Sequence, residues 1–301
     1  MSKPKSNNAK TISVALTLCL VCSVLVSAVA VGLKPAQIEN ARLDRNKNIL
    51  VAAGMYDAES DTADDVAERF KDFDVEIIDL SKGSYVDDEA LKAAGIPDRN
   101  AYDASQATKN KALSEDLGNN DPAGIGRKPK YAKVYVKKDD AGKPEMVVLP
   151  IQGYGLWGTI YGFLTLESDM NTIKGISFYE HKETPGLGAR IEEPEWRAKW
   201  SGIHSYDENG NVATGVTKAG TPKDNWVDGI SGATLTGRGV SNMIQFWLGE
   251  QGYKPYLDTL RKESGQAIDN AADTQATQST LSAQPETELA AKRPVANGKE
   301  A

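Results

Sequence analysis

The chain has 301 residues, 40% of them hydrophobic and 26% charged, with a formal net charge of −7. That length suits one large domain or two small ones. The acidic balance leaves no electrostatic footprint for nucleic acid, which needs a basic patch.

The N-terminus departs from this balance: residues 1–34 contain Lys3, Lys5, Lys10 and Lys34 and no acid. Residues 11–33, TISVALTLCLVCSVLVSAVAVGL, carry no charge. At 1.5 Å per residue such a helix reaches roughly 35 Å, enough to cross a hydrocarbon core of about 30 Å. The preceding lysines predict that residues 1–10 stay cytoplasmic and that the rest is exported. The rival is a cleaved signal peptide, with Ala28-Val29-Ala30 as its small-residue cleavage site. The apolar run is longer than a usual signal core and continues past Ala30, which favours an uncleaved single-pass anchor.

Both cysteines, Cys19 and Cys22, lie in this run. A metal or redox role would need a polar, accessible site with further ligands, so they read as small apolar residues of a membrane helix. The exported portion then has no disulfide, no thiolate nucleophile and no cysteine-ligated cluster. Two histidines, His181 and His204, are too few for a histidine-rich metal site.

Beyond the anchor, Pro35 opens a segment to residue 55 that predicts a second helix, with Ile49, Leu50 and Val51 as its buried part. Residues 56–72 are acidic and helical in period, with Val66, Phe70 and Phe73 on one face. DVEIID (74–79) alternates like a strand. Residues 81–128 are polar and weakly periodic, which predicts loops with short helices. We take 35–130 as a membrane-proximal part and 131–264 as the part that carries the site.

The strand-rich part begins with AKVYVKK (132–138) and EMVVLPI (145–151), joined at Asp139-Asp140-Ala141-Gly142. GYGLWGTIYGFLTLES (153–168) is a β-rich run interrupted by glycines, and TIKGISFYEH (172–181) is a further strand after the SDMN turn. EEPEWRAKW (192–200) predicts a helix with Pro194 in its first turn and Trp196 and Trp200 on one face. NVATGVTKAG (211–220) is expected to return to the sheet. Val240, Met243, Ile244, Trp247 and Leu248 predict a helix over 237–249, and PYLDTLRKE (255–263) a terminal one. From Gly265 to 301 the chain lacks aromatics and is expected to be disordered. The fold class expected is α+β: a mostly antiparallel sheet with flanking helices, preceded by one transmembrane helix.

DGISGATLTGRG (228–239) packs Ser231, Thr234 and Thr236 among four glycines. It has the glycine spacing of a P-loop but lacks the Lys and the following hydroxyl. Small residues let a backbone approach a ligand closely, and a following helix presents unpaired N–H groups and a partial positive charge. That suits phosphate. A hydroxyl there could cap the helix, hydrogen-bond a phosphate, or be esterified to one. ETPGLGAR (183–190) reads as a tight exposed turn, either structural or presenting Leu187 and backbone to a flat ring. GYGLWG (153–158) places Trp157 between glycines, as core or as a wall for a ring system.

Taken together, GYGLWGTIYGFLTL, FYEHKETPGLGARI with Trp196 after it, and DGISGATLTGRGV resemble the C subunit of the bacterial Na+-translocating NADH:quinone reductase. The resemblance runs from residue 10 to about 262. It implies a covalent FMN, attached by a flavin transferase through its phosphate to a threonine. The acceptor pattern Asp-x-x-Ser/Thr-Gly-Ala-Thr/Ser-x-Thr matches Asp228, Ser231, Gly232, Ala233, Thr234 and Thr236, and Thr236 stands at the acceptor position. Gly232, Ala233 and Gly237 leave space for the phosphate, and Ser231 and Thr234 could bond it or shape the turn. The resemblance places Thr184, Leu187 and Gly188 by the isoalloxazine, with Glu183 orienting that loop. Trp157 is a further candidate for the ring wall, and Lys218 for the phosphate's charge partner.

The implied role is an electron carrier in an inner-membrane complex that oxidises NADH, reduces ubiquinone and pumps Na+, with the main domain periplasmic. No nicotinamide fingerprint is present and the one span has no charged residue, so those tasks fall to partner subunits. The alternatives are the corresponding subunit of an Rnf-type electron-transport complex, an exported FMN-binding regulatory domain, and an anchored assembly factor whose threonines only cap a helix.

Overall fold

A computed structural model describes residues 8–264. The expected disorder of 265–301 therefore lies outside the described residues, as does most of the cytoplasmic segment.

Helix α1 spans Asn8–Ala52 without a break, about 68 Å at the ordinary rise. Its apolar part has a mean hydropathy of 2.7 and none of it is buried in the protein, as a membrane span requires. Two helices meeting at Pro35 were expected. Pro35 instead lies inside one helix: its φ is helical, and the lost N–H removes a single bond. The far end of α1 is clamped to the sheet-bearing part. Ile49, Leu50 and Ala52 are fully buried, and Ser177 Oγ donates to the Asn48 carbonyl at 2.8 Å.

Six antiparallel strands form the main sheet, in the order β2-β1-β5-β6-β7-β8: β1 (Phe73–Asp79), β2 (Ser84–Tyr85), β5 (Tyr131–Lys138), β6 (Pro144–Tyr154), β7 (Thr159–Glu167) and β8 (Ile173–Glu180). Small helices α3 (Asp88–Ala93) and α4 (Ala104–Ala107) and the ribbon β3 (Ser114–Asp116) with β4 (Arg127–Pro129) fill the polar stretch between β2 and β5. The period of two sends alternate residues of each strand to opposite faces. Val134 and Val136 join one cluster with Leu149, Leu164 and Ile176, while Tyr135 joins Val148 and Phe163 on the other face. The end of α1 and α2 (Ala63–Arg69) cover that second face. Helices α6 (Thr234–Trp247) and α7 (Lys254–Ser264) cover the first, with α5 (Pro194–Ala198) at its side. The helix expected over 192–200 spans only Pro194–Ala198, so Trp200 lies in the turn after it, and its ring packs edge to face on Trp196 with ring centroids 5.9 Å apart.

Three local expectations change. The acidic stretch 56–72 is helical only from α2 through a 3₁₀ turn at 70–72, because Thr62 and Asp65 form a capping box that starts the helix there. Phe73 is consequently the first residue of β1. The run 153–168 is not one strand: Gly155 and Gly158 turn the chain between β6 and β7, while Gly153 lies within β6 and Gly162 within β7. Residues 211–220 do not rejoin the sheet and make only the isolated bridges Tyr206–Val212 and Val216–Val227.

The β7–β8 turn carries a pH-sensitive contribution. Burial acts to raise the Asp169 pKa, but hydrogen bonds from the Thr172 hydroxyl and the Thr172 and Asn171 amides outweigh it and hold the value below the ordinary one. A carboxylate whose folded pKa is depressed stabilises fully above its unfolded value and loses that contribution as pH falls through the folded value. Asp169→Asn should therefore lower the urea midpoint at pH 7, by progressively less as pH falls through the depressed folded value.

Candidate functional site

The site lies where three segments far apart in sequence meet: the β6–β7 turn, the loop after β8, and the first turn of α6. The chain leaves β8 at Glu180, and the Glu183 amide donates to His181 Nδ1 at 3.1 Å. A ring nitrogen that accepts carries no proton, so the imidazole proton sits on Nε2. That nitrogen lies 2.9 Å from Glu192 Oε1. Gly186 has φ +74, and Leu187 and Ala189 both donate their amides to the Thr184 carbonyl at 3.1 Å. This makes 183–190 a tight loop with its carboxylate turned inward.

Glu183 is 5% exposed. Its Oε1 accepts from the amides of Leu156 (2.9 Å) and Trp157 (3.0 Å), and its Oε2 accepts from Thr236 Oγ1 at 2.6 Å. Burying a carboxylate is costly unless donors replace its water, and three donors do so here. One side chain thus ties all three segments together. The approach is close enough to demand glycine at two points. A Cβ on Gly188 would lie 2.6 Å from Thr236 Oγ1 and 2.7 Å from Glu183 Oε2, and one on Gly155 would lie 2.5 Å from Glu183 Oε1.

Helix α6 starts at Thr234, three residues earlier than its apolar period suggests. Thr236 therefore belongs to the first turn, where helix amides lack carbonyl partners. The residue at the cap position is Ala233, and no side chain caps the helix. The reading of the hydroxyls as an ordinary cap is overturned. Ser231, Gly232 and Thr234 are exposed, Ala233 is buried, and Thr236 is 1% exposed. Asp228 braces the segment from behind: its Oδ1 accepts from the Gly220 amide at 2.8 Å and its carbonyl from Trp196 Nε1 at 3.0 Å.

The other expected residues fall at different distances from this centre. Leu187 reaches Gly232, where a Cβ would meet its Cδ2 at 3.1 Å. Thr184 is exposed on the same loop. Trp157 is not core: its amide binds Glu183 while its ring is 61% exposed. Lys218 is exposed and its backbone lies against Gly229, which brings it to the motif but not into contact with Thr236.

Sequence reasoning missed the direct Glu183–Thr236 bond, the role of His181, and two exposed apolar residues, Leu156 (39%) and Leu235 (51%). The legible signal for Leu235 was an apolar residue between two threonines at a helix start. Leu156, Trp157, Leu187 and Leu235 supply an apolar rim beside an amide-rich helix start. A flat ring with a phosphate tail fits that pairing, and the space left by Gly188 admits it close to the backbone.

The fold and site together define a protein with an N-terminal helix long and apolar enough to cross a membrane, followed by a flavin-type domain. A family model described as an FMN-binding domain matches residues 155–249. The C subunit of the Na(+)-translocating NADH-quinone reductase of Pseudomonas aeruginosa is 39% identical over 264 residues, covering 86% of this chain and 98% of that one. Its counterpart in Vibrio parahaemolyticus is 40% identical over 267 residues, covering 85% and 97%. The crystal structure of Shewanella oneidensis NqrC superposes with a TM-score of 0.64 at 32% identity, covering 74% of this chain and 99% of that one. The chain belongs to the family of Na(+)-translocating NADH-quinone reductase C subunits. These matches decide against the Rnf-type and regulatory alternatives.

Proposed function

We propose that the chain is the electron-carrier subunit of a Na+-translocating NADH:quinone reductase, holding FMN through a phosphodiester to Thr236. The observation that carries this reading is the convergence of Thr236, Glu183 and the ETPGLG loop at the start of α6. The first-turn amides would receive the phosphate, with Ser231, Gly232, Ala233 and Thr234 shaping its seat and Lys218 supplying nearby charge. Thr184, Leu187, Gly188 and Trp157 would bound the ring. FMN supplies chemistry in one- or two-electron steps. The protein's part is to hold the ring, exclude water from one side and set its distance to neighbours.

NADH oxidation, ubiquinone reduction and Na+ transport belong to the other subunits of the complex. The single anchor would place the domain on the periplasmic side of the inner membrane, with the lysine-bearing N-terminus in the cytoplasm. A flavin transferase is the maturation partner.

Expression of the full chain with a flavin transferase tests this. Solubilised membranes should yield a band that fluoresces on a denaturing gel and that co-purifies with the other reductase subunits. A flavin that leaves the protein on denaturation would overturn the covalent reading.

A further inference from the structure

We propose that Glu183 withholds Thr236 in the unmodified protein, so that FMN is attached only to a form in which the 183–190 loop and the first turn of α6 have separated. The inference rests on the reading of Thr236 as acceptor. Two observations carry it. Thr236 is 1% exposed, whereas Ser231 and Thr234 in the same motif are exposed. Its hydroxyl proton is committed to the Glu183 carboxylate at 2.6 Å. A hydroxyl so covered and so bonded is closed to a transferase-held flavin in this arrangement.

The chemistry points the same way. Attachment breaks the Thr236 O–H bond and forms an O–P bond. The phosphate monoester of FMN has no leaving group, so the donor must be an anhydride, a flavin dinucleotide, from which a nucleoside monophosphate departs while the proton passes to solvent or to the transferase. The esterified oxygen then has no proton to donate, so the Glu183–Thr236 bond belongs to the unmodified state alone. Glu183 would also face a second anion, which disfavours return to the closed arrangement. The contact thus covers the unmodified hydroxyl and cannot re-form once that hydroxyl is esterified.

Glu183 sits on the covering loop, held by His181 Nδ1 and by the Leu156 and Trp157 amides. Lifting the loop therefore removes the carboxylate from the threonine. This separates the proposal from one in which Glu183 draws off the proton during attack. A charge-assisted bond weighs on the order of ten- to a hundredfold in an equilibrium.

The test compares rates of covalent flavin incorporation by a transferase into the full chain in detergent and into a synthetic peptide of residues 225–242. The peptide should load at least about tenfold faster than the folded chain. Glu183→Gln keeps an acceptor for the two amides and exchanges the charged bond for a neutral one, about half as strong. It should load several-fold faster than wild type at an unchanged fraction unfolded, and Glu183→Ala faster still. A folded chain that loads as fast as the peptide overturns the proposal. So does a Glu183→Gln chain that loads more slowly, which would make Glu183 an aid to the attack, or a gain explained wholly by global unfolding. A peptide carrying Thr236→Ala separates the two readings: label on it would show that Thr236 is not the acceptor, whatever Glu183 does.

Discussion

Thr236→Ala should abolish covalent flavin entirely, while Ser231→Ala and Thr234→Ala keep it. The expectation is not one of exposure, since the two dispensable hydroxyls are the exposed ones. It follows from position. Thr236 is in the first turn of α6, where unpaired amides and the helix dipole favour a phosphate, and it faces the loop that would bound the ring. Thr236→Ser should still be labelled, because the hydroxyl remains. In-gel fluorescence after denaturation and the intact mass of each variant give the answer. Label retained in Thr236→Ala and lost in Thr234→Ala would move the attachment site by two residues.

Gly239→Val should damage both stability and the site. Gly239 lies one turn into α6, and a Cβ there would sit 2.5 Å from the Tyr154 carbonyl oxygen and 2.9 Å from the Gly155 Cα. Both are backbone atoms of the turn that supplies the amides to Glu183. Tyr154 donates its amide to the Ala123 carbonyl at 2.7 Å and Gly155 to Gly158 at 2.8 Å, so the turn is pinned on its other side. The helix must move away instead. Overpacking of this kind costs about 1–3 kcal/mol. For a domain of this size that lowers the Tm by roughly 2–12 °C. The same shift separates α6 from the β6–β7 turn, so the bond between Glu183 and Thr236 should weaken as well. A thermal melt of the unmodified chain reports the first, and its rate of covalent flavin incorporation, which should rise, reports the second. An unchanged melt would mean that the close approach of α6 to the turn is absent in solution.

Much of the architecture was legible because its causes are local. A charge-free run of this length defines a helix long and apolar enough to cross a membrane. Strands announce themselves by alternation, and β1, β5, β6 and β8 lie within a residue or so of expectation apart from a longer end to β6. The helix of Val240, Met243, Ile244 and Trp247 follows from its apolar stripe, but its start does not. The stripe begins only where the helix meets the sheet, whereas Thr234 and Leu235 are exposed in the first turn. Residues 211–220 alternate weakly and suggest a strand. They end as a loop whose ladder-like contacts are the isolated bridges of Val212 to Tyr206 and of Val216 to Val227.

The sequence by itself determined the long apolar N-terminal helix, the cysteine-free remainder, the strand pattern and the three motifs with their order. Only the tertiary structure decided that Glu183 and Thr236, 53 residues apart, share one hydrogen bond, and that Thr236 is the buried hydroxyl among the three. Periodicity reports which face of an element is apolar, and that is a property of neighbours along the chain. Which carboxylate meets which hydroxyl depends on how closely α6 can approach the β6–β7 turn, and that distance is set by the missing side chains of Gly155, Gly188 and Gly239 acting together.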